Sequence, residues 1–480
     1  MGVNTRELVL DILLALEREE DYSHRLIKGV LDKYDYLAAR DKAFIKRLAE
    51  GTLERQLELD YYLDQYSSIP VRKMRPLIRC LMRMSVYQLL YMDAVPDSAV
   101  CNEACKLAAK RGFQSLKGFV NGVLRRISRE KGPKGMGIGN LPLPDEKTAP
   151  ILHDSVKYSM PEWLVELWQR EYGREIARTI LQGLMAIHPV SLRFSLGISE
   201  AERESLCASM RERGMKLAQS PYLPYVYLVE HAEGAEALPG FDQGLCTVQD
   251  ISSVLAVEAA GIGESDFVVD VCAAPGGKSI LASEKARQGK VLARDLSEER
   301  LAKIAENVSR MKAGNVQMQL FDGTCTDESL LGKADVVLLD VPCSGLGVMG
   351  KKRDIKYRIK PEDLESLQEL QRRIVRASAG YVKPGGTLLY STCTIHSGEN
   401  QAMVRFLTGE LGFEPVSLES VLPEKVLDVK RQVAAQMEIS GTAPVVPLTK
   451  AEEAACIQLL PGFFEADGFF LAKFRRAKDF

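Results

Sequence analysis

"FVVDVCAAPGGKSILASEKA", residues 267 to 286, decides the architecture. It reads as a short apolar strand, a glycine turn and then a helix. Gly276 and Gly277 carry no Cβ, so a ligand can approach the backbone amides of the turn. The spacing is neither G-x-G-x-x-G nor that of a P-loop, which disfavours a nucleoside triphosphate. The same rhythm continues outward. "GKVLARDLS" (289–297) is a second strand ending in acid, followed by the helical "SEERLAKIAENVSRM" (297–311). "NVQMQLFDGT" (315–324), "ADVVLLDVPC" (334–343) and "GGTLLYSTCT" (385–394) are three further strand ends. Alternation of this kind argues a parallel sheet with helices on both faces, and ligands bind beyond the carboxyl ends of such strands.

Upstream the character differs. Residues 1–130 space apolar residues at three and four, as in "TRELVLDILLALERE" and "RPLIRCLMRMSVYQLLYM", and predict an all-helical domain. Val95-Pro96-Asp97-Ser98 reads as a helix start. From Lys106 to Lys131 the chain gathers Lys106, Lys110, Arg111, Lys117, Arg125, Arg126, Arg129 and Lys131. Composition leaves a solvated helix face and a nucleic-acid contact equally open there. Residues 131–154, "KGPKGMGIGNLPLPDEKTAP" at their core, are rich in Gly and Pro without periodicity and read as a linker. Residues 155–238 mix helices with the strand candidates "PVSLRFS" and "YVYLVE", as a small α/β domain would. Residues 239–478 form the alternating domain, and 415–455 within it read as loops and short strands.

A chain of 480 residues calls for two to four domains, and its 46% apolar and 27% charged residues are ordinary for a globular protein. No apolar run near the length of a membrane span occurs, and the acidic N-terminus does not resemble an export signal, so a cytoplasmic location is expected. The ten cysteines lack any C-x-x-C pair, which argues against a zinc site and for mostly packed thiols. Five histidines leave few candidates for imidazole chemistry. A net charge of −2 means that any nucleic-acid surface must be local.

The polar strand ends carry the chemistry. Asp295 closes the second strand, where an acid commonly accepts hydrogen bonds from a ribose diol. Asp322 and Asp340 close the third and fourth. With the turn they converge on an adenosyl ligand, and S-adenosylmethionine fits because its sulfonium suits acidic surroundings. Cys343 in "DVPCSGLG" and Cys393 in "YSTCT" follow neighbouring strand ends. Each alone is commonly a packed thiol; two beside a methyl donor suggest a task. Carbon 5 of a pyrimidine is a poor nucleophile until a thiolate adds to C6 and makes the ring an enamine. One cysteine can then attack while a second group assists release, with Asp340 holding the N3 and N4 edge of the base.

"DVPCSG", "YSTCT", "CAAPGGK", "VQDISS" (248–253 with its flanking valine) and "DGFFLAKF" (467–474) together resemble the bacterial RNA cytosine-5 methyltransferases of the Sun/Fmu/RsmB type, over nearly the whole chain. "NEACKLAAKRG" and "FVNGVLRRI" look like the NusB-type RNA-binding domain of that family. The only departure from its DAPCSG pattern is Val341 for Ala, which removes no polar group. The resemblance implies a multidomain fold: an all-α NusB-like domain, a small α/β (RRM-like) middle domain and a Rossmann-like S-adenosylmethionine-dependent methyltransferase domain. It implies that Cys393 attacks C6 and Cys343 assists breakdown of the adduct. It places the cofactor on Cys272, Ala273, Ala274, Pro275, Gly276, Gly277, Lys278, Asp295, Asp322 and Asp340. The implied target is a cytosine of 16S ribosomal RNA, position 967 in conventional numbering, modified by a monomer before full subunit assembly.

The resemblance also favours RNA contact by Arg125 and Arg126. "KKRDIKYRIK" (351–360) follows Cys343 closely and holds six basic residues and one acid. Lys351, Lys352, Arg353, Lys356 and Arg358 are therefore expected to meet phosphates flanking the target base. The rival readings are a methyltransferase acting on transfer RNA or 23S RNA, on protein or small molecules, or on DNA, and a non-catalytic RNA-binding protein that kept the fold. In a DNA enzyme the Pro-Cys cysteine would be the nucleophile.

Overall fold

A computed structural model describes residues 3–18, 22–133, 138–232 and 234–478. The chain forms two compact units. One comprises Met1–Trp168 with Lys351–Arg358, the other Gln169–Gly350 with Ile359–Phe480. Among the described residues no helix is long and apolar enough to cross a membrane.

The first unit is helical, as expected. Pro76–Tyr91 is its axis: proline opens it at a position where no backbone donor is needed, and apolar residues almost all round it are buried. Thr5–Leu16 is capped by the Asn4 side chain, which accepts from the Arg6 and Glu7 amides at 3.1 Å. Asp97–Lys110 and Lys117–Glu130 complete the part read as a helical domain. The linker expected at 131–154 is only partly one. Residues 134–137 lie outside the described residues, but Leu141 joins the helical core and a further helix, Pro150–Lys157, starts inside it. Lys131, grouped above with a basic face, is instead 1% exposed, with its ammonium on Asp97 and the Gly132 carbonyl.

The second unit holds two sheets. The smaller contains β1 (Val190–Phe194), β2 (Lys216–Gln219), β3 (Val226–Glu230) and β4 (Cys246–Val248), antiparallel in the order β2-β3-β1-β4. Its fourth strand lies beyond residue 238, so the small domain extends further than the sequence suggests. The "CTV" strand is too short to carry a periodic signal, and pairing with β1 alone defines it.

The larger sheet contains β5 (Phe267–Asp270), β6 (Lys290–Asp295), β7 (Val316–Leu320), β8 (Ala334–Asp340), β9 (Val382–Thr392), β10 (Glu414–Pro415), β11 (Cys456–Leu459) and β12 (Phe469–Arg475). Its order is β10-β12-β9-β8-β5-β6-β7, with β11 on β12. Strands β5 to β9 run parallel and β12 antiparallel to β9. From β5 the chain winds outward through β6 and β7, then returns to β8 on the other side of β5. That reversal opens a crevice at the carboxyl ends of β5 and β8. Residues 415–455 depart from the expected loops and strands, forming the helices Glu424–Ile439 and Lys450–Ala455. Val426, Leu427 and Val433 give the longer helix a thin buried stripe, too sparse to stand out in sequence.

Candidate active site

The turn after β5 is built by its neighbours. Asp270 is buried at the strand end and accepts from Ser279 Oγ at 2.6 Å, tying strand to helix. Burial pushes its carboxyl up to about 6, opposed by the Ser279 hydroxyl and Lys278. Gly276 has φ of 101°, a left-handed conformation natural to glycine, and opens the helix Gly277–Lys285. Asp295, at the end of β6, is 2% exposed. Its Oδ2 accepts from the Ala274 amide at 3.0 Å and its Oδ1 from the Leu296 amide at 2.8 Å, with Arg300 at 3.1 Å. Asp322 lies two residues beyond β7, exposed, and turns its Oδ1 back onto the Thr324 amide and hydroxyl. Those hydrogen bonds hold its carboxyl below the usual range.

Asp340 sits one strand over. Its Oδ2 accepts from Lys278 Nζ at 2.7 Å and its Oδ1 from Ser391 Oγ at 2.8 Å. Burial works against the Lys278 ammonium, yet Asp340 overcomes it and leaves the lysine pKa above its ordinary value. Lys278 also reaches Ser253 Oγ at 3.3 Å and lies over the Phe469 ring. "VQDISS" and "DGFF" therefore meet the glycine turn at this lysine.

The register Asp340↔Ser391 sets β8 and β9 side by side, and both cysteines follow within three residues. Their sulfurs lie 3.3 Å apart. The hydrogen bond to Cys393 and then burial drive the Cys343 pKa well above the ordinary thiol value.

A buried clamp orders the pair, and the sequence reading missed it. Glu399 is 0% exposed. Its carboxylate accepts from the Ser344 amide (2.9 Å), Ser344 Oγ (2.5 Å) and Gln371 Nε2 (2.8 Å), while its backbone carbonyl accepts from Tyr390 OH. Ser344 Oγ also lies 2.7 Å from Thr394 Oγ1, so the residues following each cysteine are joined directly. The Gly347 amide donates to the Cys393 carbonyl, and the Gly468 amide to the Gly347 carbonyl. A Cβ on Gly347 would stand 2.0 Å from the Gly468 carbonyl oxygen, so this backbone contact requires glycine. Behind the clamp, His396 lies between Glu399 and Glu171, at 3.5 and 3.7 Å, and Glu171 accepts from Ser397. The run "TCTIHSGEN" is dense in polar residues directly after a buried strand, and that density was the available signal.

The structure corrects the basic segment after Cys343. Arg353 is paired with Glu50 and Glu54. Lys356 is 3% exposed and donates to the carbonyls of Glu54 and Ser159, and burial lowers its pKa to about 7. Arg358 pairs with Asp354, whose carboxylate also accepts from the Ser23 amide and hydroxyl. These side chains hold the helical unit together instead of facing a phosphate. Lys351 and Lys352 are exposed. In the earlier basic run, Lys110 and Arg111 pair with Glu7 and Asp11 of the first helix. Arg125 and Arg126 are exposed on Lys117–Glu130, Arg125 donating to Asn121 and Arg126 stacked over Tyr66.

The residues at β5 and β6 suit an adenosyl ligand with an amino-acid tail. A helix start offers unpaired backbone donors, and a buried acid closes the next strand. Among the described residues no cluster of three or more His, Cys, Asp or Glu could hold a metal ion.

Known proteins match in the same places. The family profile described as "16S rRNA methyltransferase RsmB/F" matches residues 259–475, and that of the NusB family residues 3–129. A probable ribosomal RNA small subunit methyltransferase B of Bacillus subtilis is 33% identical, covering 98% of this chain and 99% of its own. The ribosomal RNA small subunit methyltransferase B of Cronobacter sakazakii is 30% identical over 90% of each. Among solved structures, PH0851 superposes with a TM-score of 0.76 at 21% identity, covering 99% of this chain and 100% of its own. A methyltransferase homologue from Pyrococcus horikoshii does so at 0.56 and 23% identity, over 68% and 99%.

Proposed function

The chain belongs to the RsmB family of methyltransferases, and from that premise we propose that it methylates C5 of a cytosine in 16S ribosomal RNA, at position 967. The observation that carries the mechanism is the pair of sulfurs 3.3 Å apart, ordered by Glu399 beside Asp340 and Lys278. S-adenosylmethionine, held by Cys272–Lys278, Asp295, Asp322 and Asp340, supplies an electrophilic methyl group when bound.

The chain's own residues do the rest. The Cys393 thiolate bonds to C6 of the flipped base, and the ring's electron pair moves to C5, making that carbon nucleophilic. Asp340, anchored by Lys278 and Ser391, holds the N3 and N4 edge against the sulfur. Once C5 is substituted, its proton must leave so that the C6–S bond can break and return Cys393. Cys343, in contact with Cys393, assists that release. Cys343 hands its thiol proton to the departing Cys393 sulfur and takes the C5 proton in its place, so the C6–S electron pair returns to Cys393 and each proton has an acceptor.

Arg125, Arg126, Lys351 and Lys352 are the proposed phosphate contacts, being exposed. Extruding the base costs a few kcal/mol, which such contacts offset. RNA not yet folded into a complete subunit exposes the base more readily, so protein-free 16S RNA in the cytoplasm is the proposed substrate.

The test is a covalent protein–RNA band with methyl donor present. Cys343→Ala is expected to accumulate the adduct and Cys393→Ala to form none. The opposite pattern would assign attack to Cys343, as in a DNA-type enzyme. Absence of adduct and of methyl transfer with any RNA would sink the mechanism.

A further inference from the structure

"VQDISS" has so far explained only Ser253. Its Gln249 directly follows β4, and its amide N–H donates to the Ser191 carbonyl at 3.1 Å, fixing the backbone to β1. The residue is 7% exposed. Its Oε1 accepts from Arg193 Nε at 2.8 Å. Arg193 is fully buried, and its Nη1 donates to Glu284 Oε2 at 2.5 Å, on the helix Gly277–Lys285.

A guanidinium has only donors, so the amide oxygen must face Arg193 and the amide nitrogen must face away. Facing away means toward the cofactor turn. A Cβ on Gly277 would come within 3.3 Å of Gln249 Nε2. That nitrogen is buried and has no hydrogen-bond partner among the described residues. Gly277 begins its helix, whose first backbone N–H groups also have no partner within the helix and carry partial positive charge. A side-chain donor and several backbone donors thus converge at one helix start. An unpaired buried donor is costly, and a cluster of them calls for an anionic acceptor.

We infer that Gln249 is a cofactor-binding residue, donating from Nε2 to the carboxylate of the methionine tail of S-adenosylmethionine, with Arg193 setting the direction of the amide. This rests on the cofactor reading above. It makes the small sheet part of the cofactor site, since β1 carries Arg193 and the residue after β4 carries the donor.

The measurement is calorimetric binding to the purified full chain of two ligands. S-adenosylhomocysteine keeps the amino-acid tail; 5′-methylthioadenosine lacks it. Gln249→Glu preserves size and an acceptor for Arg193 but puts an oxygen where the donor stood. It is expected to weaken S-adenosylhomocysteine about tenfold or more and to change 5′-methylthioadenosine less than about twofold. Gln249→Leu, which removes both groups, should show the same selectivity if it folds. Equal loss for both ligands, or undiminished S-adenosylhomocysteine binding by Gln249→Glu, overturns the inference. If the unmodified chain binds neither ligand, the cofactor reading itself fails, and the inference with it.

Discussion

Two stretches, Cys343–Gly347 and Lys351–Arg358, lie a few residues apart in the chain after the buried strand β8, the first small and weakly polar and the second densely charged. Ser344 in the first and Asp354 and Lys356 in the second are buried, yet for different ends. Around Cys343 a carboxylate, Glu399, accepts from the Ser344 amide and hydroxyl and from Gln371, and the thiol lies against a second sulfur. In Lys351–Arg358 the charges are themselves the adhesive, with Arg353 on two glutamates and Lys356 on two carbonyls. Position after a strand therefore does not distinguish chemistry from cohesion. What each side chain is paired with does.

Removing the clamp tests the first half of that contrast most severely. Glu399→Ala leaves the Ser344 amide unpaired in the interior and removes one acceptor each from the Ser344 hydroxyl, which keeps Thr394, and the Gln371 amide, which keeps the Pro342 carbonyl. Single-turnover methyl transfer is expected to fall about a hundredfold as the cysteine loop loses its position. Glu399→Gln, which keeps an acceptor, should lose less. Equal activity of both variants with the parent would show that the clamp does not position the cysteines.

The second half predicts stability effects where RNA effects were expected. Arg353→Ala should destabilise the chain by about 2 kcal/mol, because Glu50 and Glu54 lose a charged hydrogen-bond donor. The salt dependence of RNA binding should not change. Replacing Lys351 and Lys352 together by Ala should do the reverse, lowering the slope of log affinity against log salt by about one to two with an unchanged melting temperature. An Arg353→Ala variant with lowered salt slope and full stability would restore the phosphate reading.

The smallest effect concerns pH. Lys356 has its pKa lowered to about 7 in the folded protein, below the value of an unfolded lysine. Between about pH 7 and the unfolded value the unfolded chain binds the extra proton, so stability rises with pH through that window. From pH 7 to 9 this lysine should add up to about 2 kcal/mol. Denaturant midpoints should therefore climb less in Lys356→Met than in the parent. Parallel curves would mean that the buried ammonium stays charged.

Much of the site was legible because its signals are local. The glycine turn, the acids at strand ends and the two cysteines each follow from strand or turn chemistry within a few residues, and the structure gathers them at the carboxyl ends of β5, β6, β8 and β9. Asp322 alone lies exposed with its carboxylate turned onto its own backbone. The helical first unit was equally plain from its spacing. The short strand β4 and the thinly apolar helix Glu424–Ile439 were not, because neither carries enough periodic signal.

The sequence by itself determined the strand–turn–helix architecture and which residue types stand at the carboxyl ends of the strands, since backbone conformation and alternation are decided over a few neighbours. Tertiary structure alone decided what those residues face. Arg353 meets a glutamate 303 positions away, and Gln249 owes its direction to an arginine 56 positions away. Burial and pairing depend on partners that only folding brings together, so a lysine fit for a phosphate became glue and an unremarked glutamine acquired a free donor.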